Sequence, residues 1–161
     1  MADLVKSMGI DLPHSDFIWY GEDDNSVRDE FYHQARLMNL DEYTVKGSSE
    51  PLTQRLWRRY GGKALELIED IRRNPRQAER LMKDAEYLRC EIEHTARYEM
   101  ITKLEDFLRR RSKITQVVRN EDIIDAPGLM EACKIFFGDK AEEKLYEYIV
   151  SLSNNHWCGF Y

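Results

Sequence analysis

Six charged residues are spread over 21 positions of this chain: Glu91, Arg97, Glu99, Asp106, Arg110 and Arg111. Paired carboxylates can perform general acid–base chemistry, but the acid partner needs a raised pKa. Arginines beside carboxylates act the other way, lowering the carboxylate pKa and favouring permanent ionisation. The set therefore reads as a structural charge constellation of ion pairs between helices, with no catalytic role. A second candidate is Cys90 with His94, four apart and thus on one helix face, as metal ligands can be. Zinc needs three or four ligands, and no second pair has suitable spacing; His156 and Cys158 fall in the C-terminal tail. A packed thiol and a surface or interface imidazole are the simpler reading, so no metal site is expected. There is no G-x-G-x-x-G turn for a dinucleotide, and Gly61-Gly62 sits at a helix end. No Ser-His-Asp or Cys-His nucleophile motif occurs either. Catalytic, cofactor-binding and metal residues are all expected to be absent from this segment.

The elements that position these residues are helical. Val27, Phe31, Gln34, Ala35 and Met38 trace one face, with Ser26 as N-cap and Glu30 near the capping-box position. Pro51 suits a first turn, Leu52, Leu56 and Tyr60 share a face, and Gly61-Gly62 ends that helix. Ala64, Leu67, Ile68 and Ile71 form an i, i+3, i+4, i+7 stripe closed by Asn74-Pro75. Helical pattern resumes over 76–82, 86–98 and 102–113, and Thr102 with Glu105 has capping-box spacing. Asp125-Ala126-Pro127 opens a helix carrying Leu129, Cys133, Phe136 and Phe137, stopped by Gly138. Asp139 can cap the last helix, whose stripe is Ala141, Leu145, Tyr148, Ile149 and Leu152. Residues 1–9 read as the end of another helix, and 10–25 as a connector with a short extended piece at Phe17–Tyr20.

With no alternating segment of strand length, the expected fold is all-α: one domain of about five to seven helices with an irregular N-terminal connector. The expected organisation is an N-terminal helix and connector over 1–50, a helical domain over 51–152 and an aromatic tail over 153–161. The clusters Trp19-Tyr20 and Trp157–Tyr161 either pack over the core or form a docking surface.

At 161 residues the chain is long enough for one domain with a core. Hydrophobic content of 42% and charge of 34% are ordinary for a soluble helical protein. No apolar run is long enough for a membrane span, and no signal peptide is evident at the N-terminus. Three scattered cysteines argue against a disulfide scaffold and are compatible with a reducing cytoplasm. Net charge is −6, and the clusters Arg55/Arg58/Arg59, Arg72-Arg73 and Arg109-Arg110-Arg111 stand near acids such as Glu66, Glu69 and Asp70. Nucleic acid is thereby disfavoured as a partner, a helix-turn-helix DNA binder included. The arginines read as covers over apolar surface with solvated heads.

The order of charges and apolar residues over 87–111, with Glu91, Arg97, Glu99-Met100, Asp106 and Arg110-Arg111, resembles the C-terminal helical domain of FAD-dependent glycerol-3-phosphate dehydrogenases and glycerophosphate oxidases. Their pattern there reads roughly E-V-x-Y-A-x-R-x-E-M-A-x-T-L-x-D-x-L-x-R-R. The resemblance covers roughly residues 51–150. Leu56–Ala64 is similar to the family's helix ending in Tyr-Gly, and Leu129–Ile149 to its terminal helix pair. Ile101 and Lys103 replace the usual Ala and Thr, and the tryptophan often following the glycine at 138 is absent. Met1-Ala2-Asp3-Leu4-Val5 is similar to the start of the helix that follows the family's flavin domain. The resemblance implies a non-catalytic packing domain, with FAD, hydride transfer and phosphate binding all N-terminal to it. It implies a flavin-binding catalytic domain as partner, in the same or an adjacent chain, with homo-oligomerisation left open. The parent activity would be oxidation of sn-glycerol 3-phosphate to dihydroxyacetone phosphate in glycerol metabolism, in the cytoplasm or peripheral to the inner membrane. The rival expectation is a free-standing helical interaction module without a flavin partner.

Overall fold

The computed structural model describes residues 24–82 and 85–155. The expected helix at 1–9, the connector aromatics and the tail beyond 155 lie outside the described residues. The fold is a single all-α domain, and no strand occurs among the described residues. No helix among them is long and apolar enough to cross a membrane.

Helix α1 (Asn25–Leu37) buries Phe31 and Ala35, one turn apart on a single face. Its cap is Asp24, whose Oδ1 accepts the Ser26 N–H at 2.9 Å. The expected cap Ser26 is thus inside the helix, and Glu30 accepts from Gln34 Nε2 instead of closing a capping box. Helix α2 (Leu52–Tyr60) starts after Pro51, as the missing proline N–H allows. Two of its first donors are taken from outside: Leu52 N–H donates to Thr44 Oγ1 at 3.0 Å, and Thr53 N–H to Asp41 Oδ1 at 2.8 Å. Gly61 stops α2 at φ 51° and Gly138 stops a later helix at φ 55°, left-handed positions where a side chain is strained.

Helix α3 (Ala64–Arg73) buries Ala64, Leu67, Ile68 and Ile71, the whole expected stripe. Beyond Asn74 the expected helical stretch over 76–82 shrinks to a 3-10 turn, Pro75–Ala78. The backbone then pairs across a loop instead: Arg80 bridges Leu88 in antiparallel fashion, and Arg89 N–H donates to the Glu79 carbonyl at 2.8 Å. That pairing delays the start of α4 (Arg89–Tyr98) by three residues relative to the expected 86. The segment expected as helix over 102–113 becomes a π-helical turn, Asp106–Arg111, entered through Leu104 and Glu105. Ser112 N–H reaches the Phe107 carbonyl at 2.8 Å, and Ser112 Oγ donates to the same carbonyl and to that of Leu108. The wide turn leaves both Phe107 and Leu108 fully buried.

The short helix α5 (Asn120–Ile124) buries Ile123. Helices α6 (Gly128–Phe137) and α7 (Ala141–Asn155) pack against each other. Leu129 and Cys133 are buried on α6, Ala141 and Tyr148 on α7. Asp139 lies within a 3-10 turn, Gly138–Lys140, that precedes α7.

The core has two parts. One gathers Phe31, Leu40, Leu52, Leu56, Leu67 and Ile68. The other gathers Leu104, Phe107, Leu108, Ile123, Leu129 and Cys133. Helix α4 serves both: Leu88 before its first turn and Cys90 belong to the first part, and Ile92 to the second. Glu91 sits between them.

Candidate functional site

Glu91 stands on α4 at 0% exposure, where an unpaired carboxylate is prohibitively costly. Four donors converge on it. Oε2 accepts from Arg55 Nη2 at 2.6 Å and from the Leu88 N–H at 2.9 Å. Oε1 accepts from Arg59 Nη1 and from the Tyr60 hydroxyl, each at 3.2 Å. The Leu88 bond also satisfies a backbone donor at the entrance to α4, where the helix has no carbonyl to offer.

Arg55, Arg59 and Tyr60 all lie on α2. Leu52, Arg55, Leu56 and Arg59 fall at i, i+3, i+4 and i+7, so the arginines stand on the apolar stripe of their helix. Arg55 is 3% exposed, which corrects the reading of this cluster as solvated heads. Its second charge contact is Glu86, with Nη1 3.7 Å from Oε2, and its Nε has no hydrogen-bond partner. Arg59 also lies 4.5 Å from the centre of the Tyr87 ring. Burial, reinforced by the Glu91 charge, pushes the Tyr60 phenol well above its ordinary pKa, so it remains a donor. Tyr87 is raised as well, chiefly by burial.

Chemically this is a closed site. The four donors occupy the acceptor positions of the carboxylate, and an arginine does not give up its proton.

The remaining expected charges are placed separately. Arg97 turns to the surface, 3.5 Å from Asp70 Oδ2 on α3 and 3.3 Å from Glu93 Oε2. Glu99 and Arg111 meet at 3.1 Å, joining the end of α4 to the end of the π turn. Asp106 and Arg110 meet at 3.1 Å, one turn apart. Asp106 also accepts from the Thr102 hydroxyl and the Lys103 N–H, each at 3.0 Å. The expected Thr102–Glu105 capping box is therefore replaced by one in which Asp106 reaches back. These bonds and Arg110 hold the Asp106 carboxyl below its ordinary pKa, against a desolvation effect that raises it. The structure thus brings together Glu99 with Arg111 and Asp106 with Arg110. It takes Glu91 to α2 and Arg97 to α3. Reasoning from sequence missed Arg55, Arg59 and Tyr60, although arginines at core-facing positions of an amphipathic helix are a readable signal.

Cys90 is fully buried, and its thiol is pushed far up by desolvation. His94 lies between the rings of Tyr60 and Tyr98, with centroids 5.3 and 4.6 Å away, and burial lowers its pKa. Among the described residues no three His, Cys, Asp or Glu side chains gather as metal ligands.

Above the Glu91 network lies an open cleft of about 320 Å³. Its wall carries Arg58, Arg59, Arg111 and Lys113, with Glu99 as the single carboxylate. Arg58 pairs with Glu50, whose pKa that hydrogen bond lowers.

Fold and site together define a class: a small all-α domain whose most buried charges knit its own helices together. Residues 20–134, well over half of the chain, match the family model described as the C-terminal domain of alpha-glycerophosphate oxidase, and the chain belongs to that family. The match begins within the expected connector and takes in α1, which the expected range of 51–150 left out, and ends within α6. Neither a curated protein nor a solved structure matches the chain.

Proposed function

We propose that this chain is a non-catalytic C-terminal helical domain that packs against the flavin-binding catalytic body of a glycerol-3-phosphate-oxidising enzyme. The parent reaction is oxidation of sn-glycerol 3-phosphate to dihydroxyacetone phosphate, with electrons passing through FAD to quinone or oxygen, in the cytoplasm. The family match over 20–134 carries this reading. The Glu91 site supports it, because its ionisable groups are spent on holding α2 to α4. The catalytic body is the partner, in the same or an adjacent chain, and FAD belongs to that body.

The purified chain is expected to be colourless and unable to oxidise glycerol 3-phosphate. It is expected to form a stable complex on size-exclusion chromatography with a separately expressed flavin domain of an alpha-glycerophosphate oxidase. Flavin absorbance in the isolated chain, or turnover without the flavin domain, would refute the assignment.

A further inference from the structure

Between α7 and residues 103–105, at the entrance to the π turn, lies an open groove of about 490 Å³. Its α7 wall follows the helix from Lys144 through Tyr148 to Ser151, positions that share one face. The charges in this lining are mostly answered nearby. Lys144 Nζ meets Glu147 Oε2 at 2.8 Å, and Glu105 Oε1 meets Arg109 Nη1 at 3.1 Å. Lys103 is then the one lining charge without an ion-pair partner among the described residues. A charged ligand finds little here to bind.

The apolar part of the lining is left open. Tyr146 is 70% exposed and Val150 37% exposed, and both line the groove. Tyr148 is only 4% exposed, yet its hydroxyl has no hydrogen-bond partner. Burial raises the Tyr148 pKa and the charge of Glu105 adds to it, which sets that hydroxyl near the facing wall. Buried donors without an acceptor are rare in native proteins, and a chain segment laid along the groove carries carbonyls that can accept.

The sequence itself supplies an apolar segment at this place. Six residues follow Asn155, the last residue of α7, and three of them are Trp157, Phe160 and Tyr161. None of the six is an acid, a lysine or an arginine. Tyr148 lies about 10 Å back from Asn155 along the helix axis, at 1.5 Å per residue. Six extended residues span about 20 Å, so the segment can reverse and still run the length of the α7 wall. Asparagine at the helix end favours such a reversal, because it enters the left-handed conformation more readily than other residues with a side chain. Both α7 and this segment lie beyond the matched residues 20–134, so groove and segment come with the same part of the chain.

We infer that the aromatic segment 156–161 folds back in its own chain and fills the groove between α7 and residues 103–105. It covers Tyr146 and Val150 and brings an acceptor to the Tyr148 hydroxyl. The consequence is an α7 face sealed from within the chain. This inference does not depend on the proposed function.

Cys158 lies in the segment while Cys90 and Cys133 are buried, so one accessible thiol reports on it. The test uses the full chain, with the peptide acetyl-His-Trp-Cys-Gly-Phe-Tyr as the unhindered reference for thiol labelling at pH 8. Cys158 is expected to react about tenfold more slowly than the peptide, since labelling needs access as well as thiolate. Tyr146→Asp and Val150→Asp should each bring its rate close to that of the peptide. Glu143→Lys, on α7 but outside the groove, should leave it slow. Circular dichroism melts confirm that the variants are folded, and Tyr146, being largely exposed, tolerates the change best. Under mild copper–phenanthroline oxidation, Lys103→Cys should form an intramolecular disulfide with Cys158, found by mass spectrometry of the non-reduced digest. His33→Cys, on α1, should not. Labelling as fast as the peptide, a rate indifferent to Tyr146→Asp and Val150→Asp, or equal cross-linking from His33→Cys overturns the inference. A disulfide formed only between two chains overturns it as well, because the groove then takes the segment of a second copy.

Discussion

Arg55 and Glu91 meet at 2.6 Å across 36 positions of sequence, both side chains almost wholly withdrawn from water. The pair joins α2 to α4 where the two parts of the core adjoin. Removing either partner takes the closest counter-charge from a buried group, leaving Glu91 with Arg59 or Arg55 with the more distant Glu86. Glu91→Ala or Arg55→Ala is therefore expected to cost about 3–5 kcal/mol in urea denaturation. The double change Arg55→Met with Glu91→Leu should recover only part of that loss, because the Leu88 N–H, Arg59 and the Tyr60 hydroxyl are left without their acceptor. A single-variant loss below about 1 kcal/mol would show that the network does not hold these helices.

Asp106 provides a contrast at a more exposed place. Its bonds to Thr102 and Lys103 act as a helix cap, so Asp106→Asn should cost about 0.5–2 kcal/mol. Arg110 is largely solvated, and its coupling to Asp106 in a double-mutant cycle should stay under about 0.5 kcal/mol. The folded-state pKa lies below the ordinary value of 3.8. The carboxylate's contribution is therefore complete above that value and is lost as pH falls through the lower folded-state pKa. The stability gap between the unaltered chain and Asp106→Asn should close on acidification and stay level toward neutral pH.

Gly128 opens α6 against backbone rather than side chain. A Cβ built there would lie 1.6 Å from the Leu81 carbonyl oxygen and 2.3 Å from its carbon. Backbone cannot move aside as a side-chain tip can. Gly128→Ala should destabilise the fold by about 1–3 kcal/mol or more, although alanine is the better helix former. An unchanged melting temperature would show that this close approach does not exist.

Ile68 tests the α3 stripe. It is buried on the face that carries Leu67 and Ile71, and Ile68→Ala should cost about 2–5 kcal/mol in denaturant melts. A negligible loss would place the stripe on the wrong face.

The buried thiols should be unreactive. Desolvation pushes Cys133 up to about 11 and Cys90 higher still, so neither supplies much thiolate at pH 8. In a Cys158→Ser background, a thiol reagent should label nothing in the native protein and both cysteines after unfolding. Rapid labelling of the folded chain would contradict the burial of α4 and α6.

Where a feature depends on neighbours three or four residues away, it was legible before any coordinates. The α3 stripe, the stops at Gly61 and Gly138 and the all-α class belong here, because helical periodicity and glycine conformation are local physics. The family resemblance also lay in the linear order of charges over 87–111. Tertiary structure decided which of those charges are buried and with whom. The place of Arg55 on an apolar stripe could be read, but its partner could not until α4 brings Glu91 against it, and the partner of Arg97 is set by the approach of α3. The same holds for the extended pairing at Arg80 and Leu88, which displaces the helix expected over 76–82, and for the backbone contact that requires glycine at 128. Burial is imposed by whichever element packs opposite, and that element is distant in sequence. A local pattern can therefore specify a helix and its apolar face, but not the charge that another helix will seal beneath it.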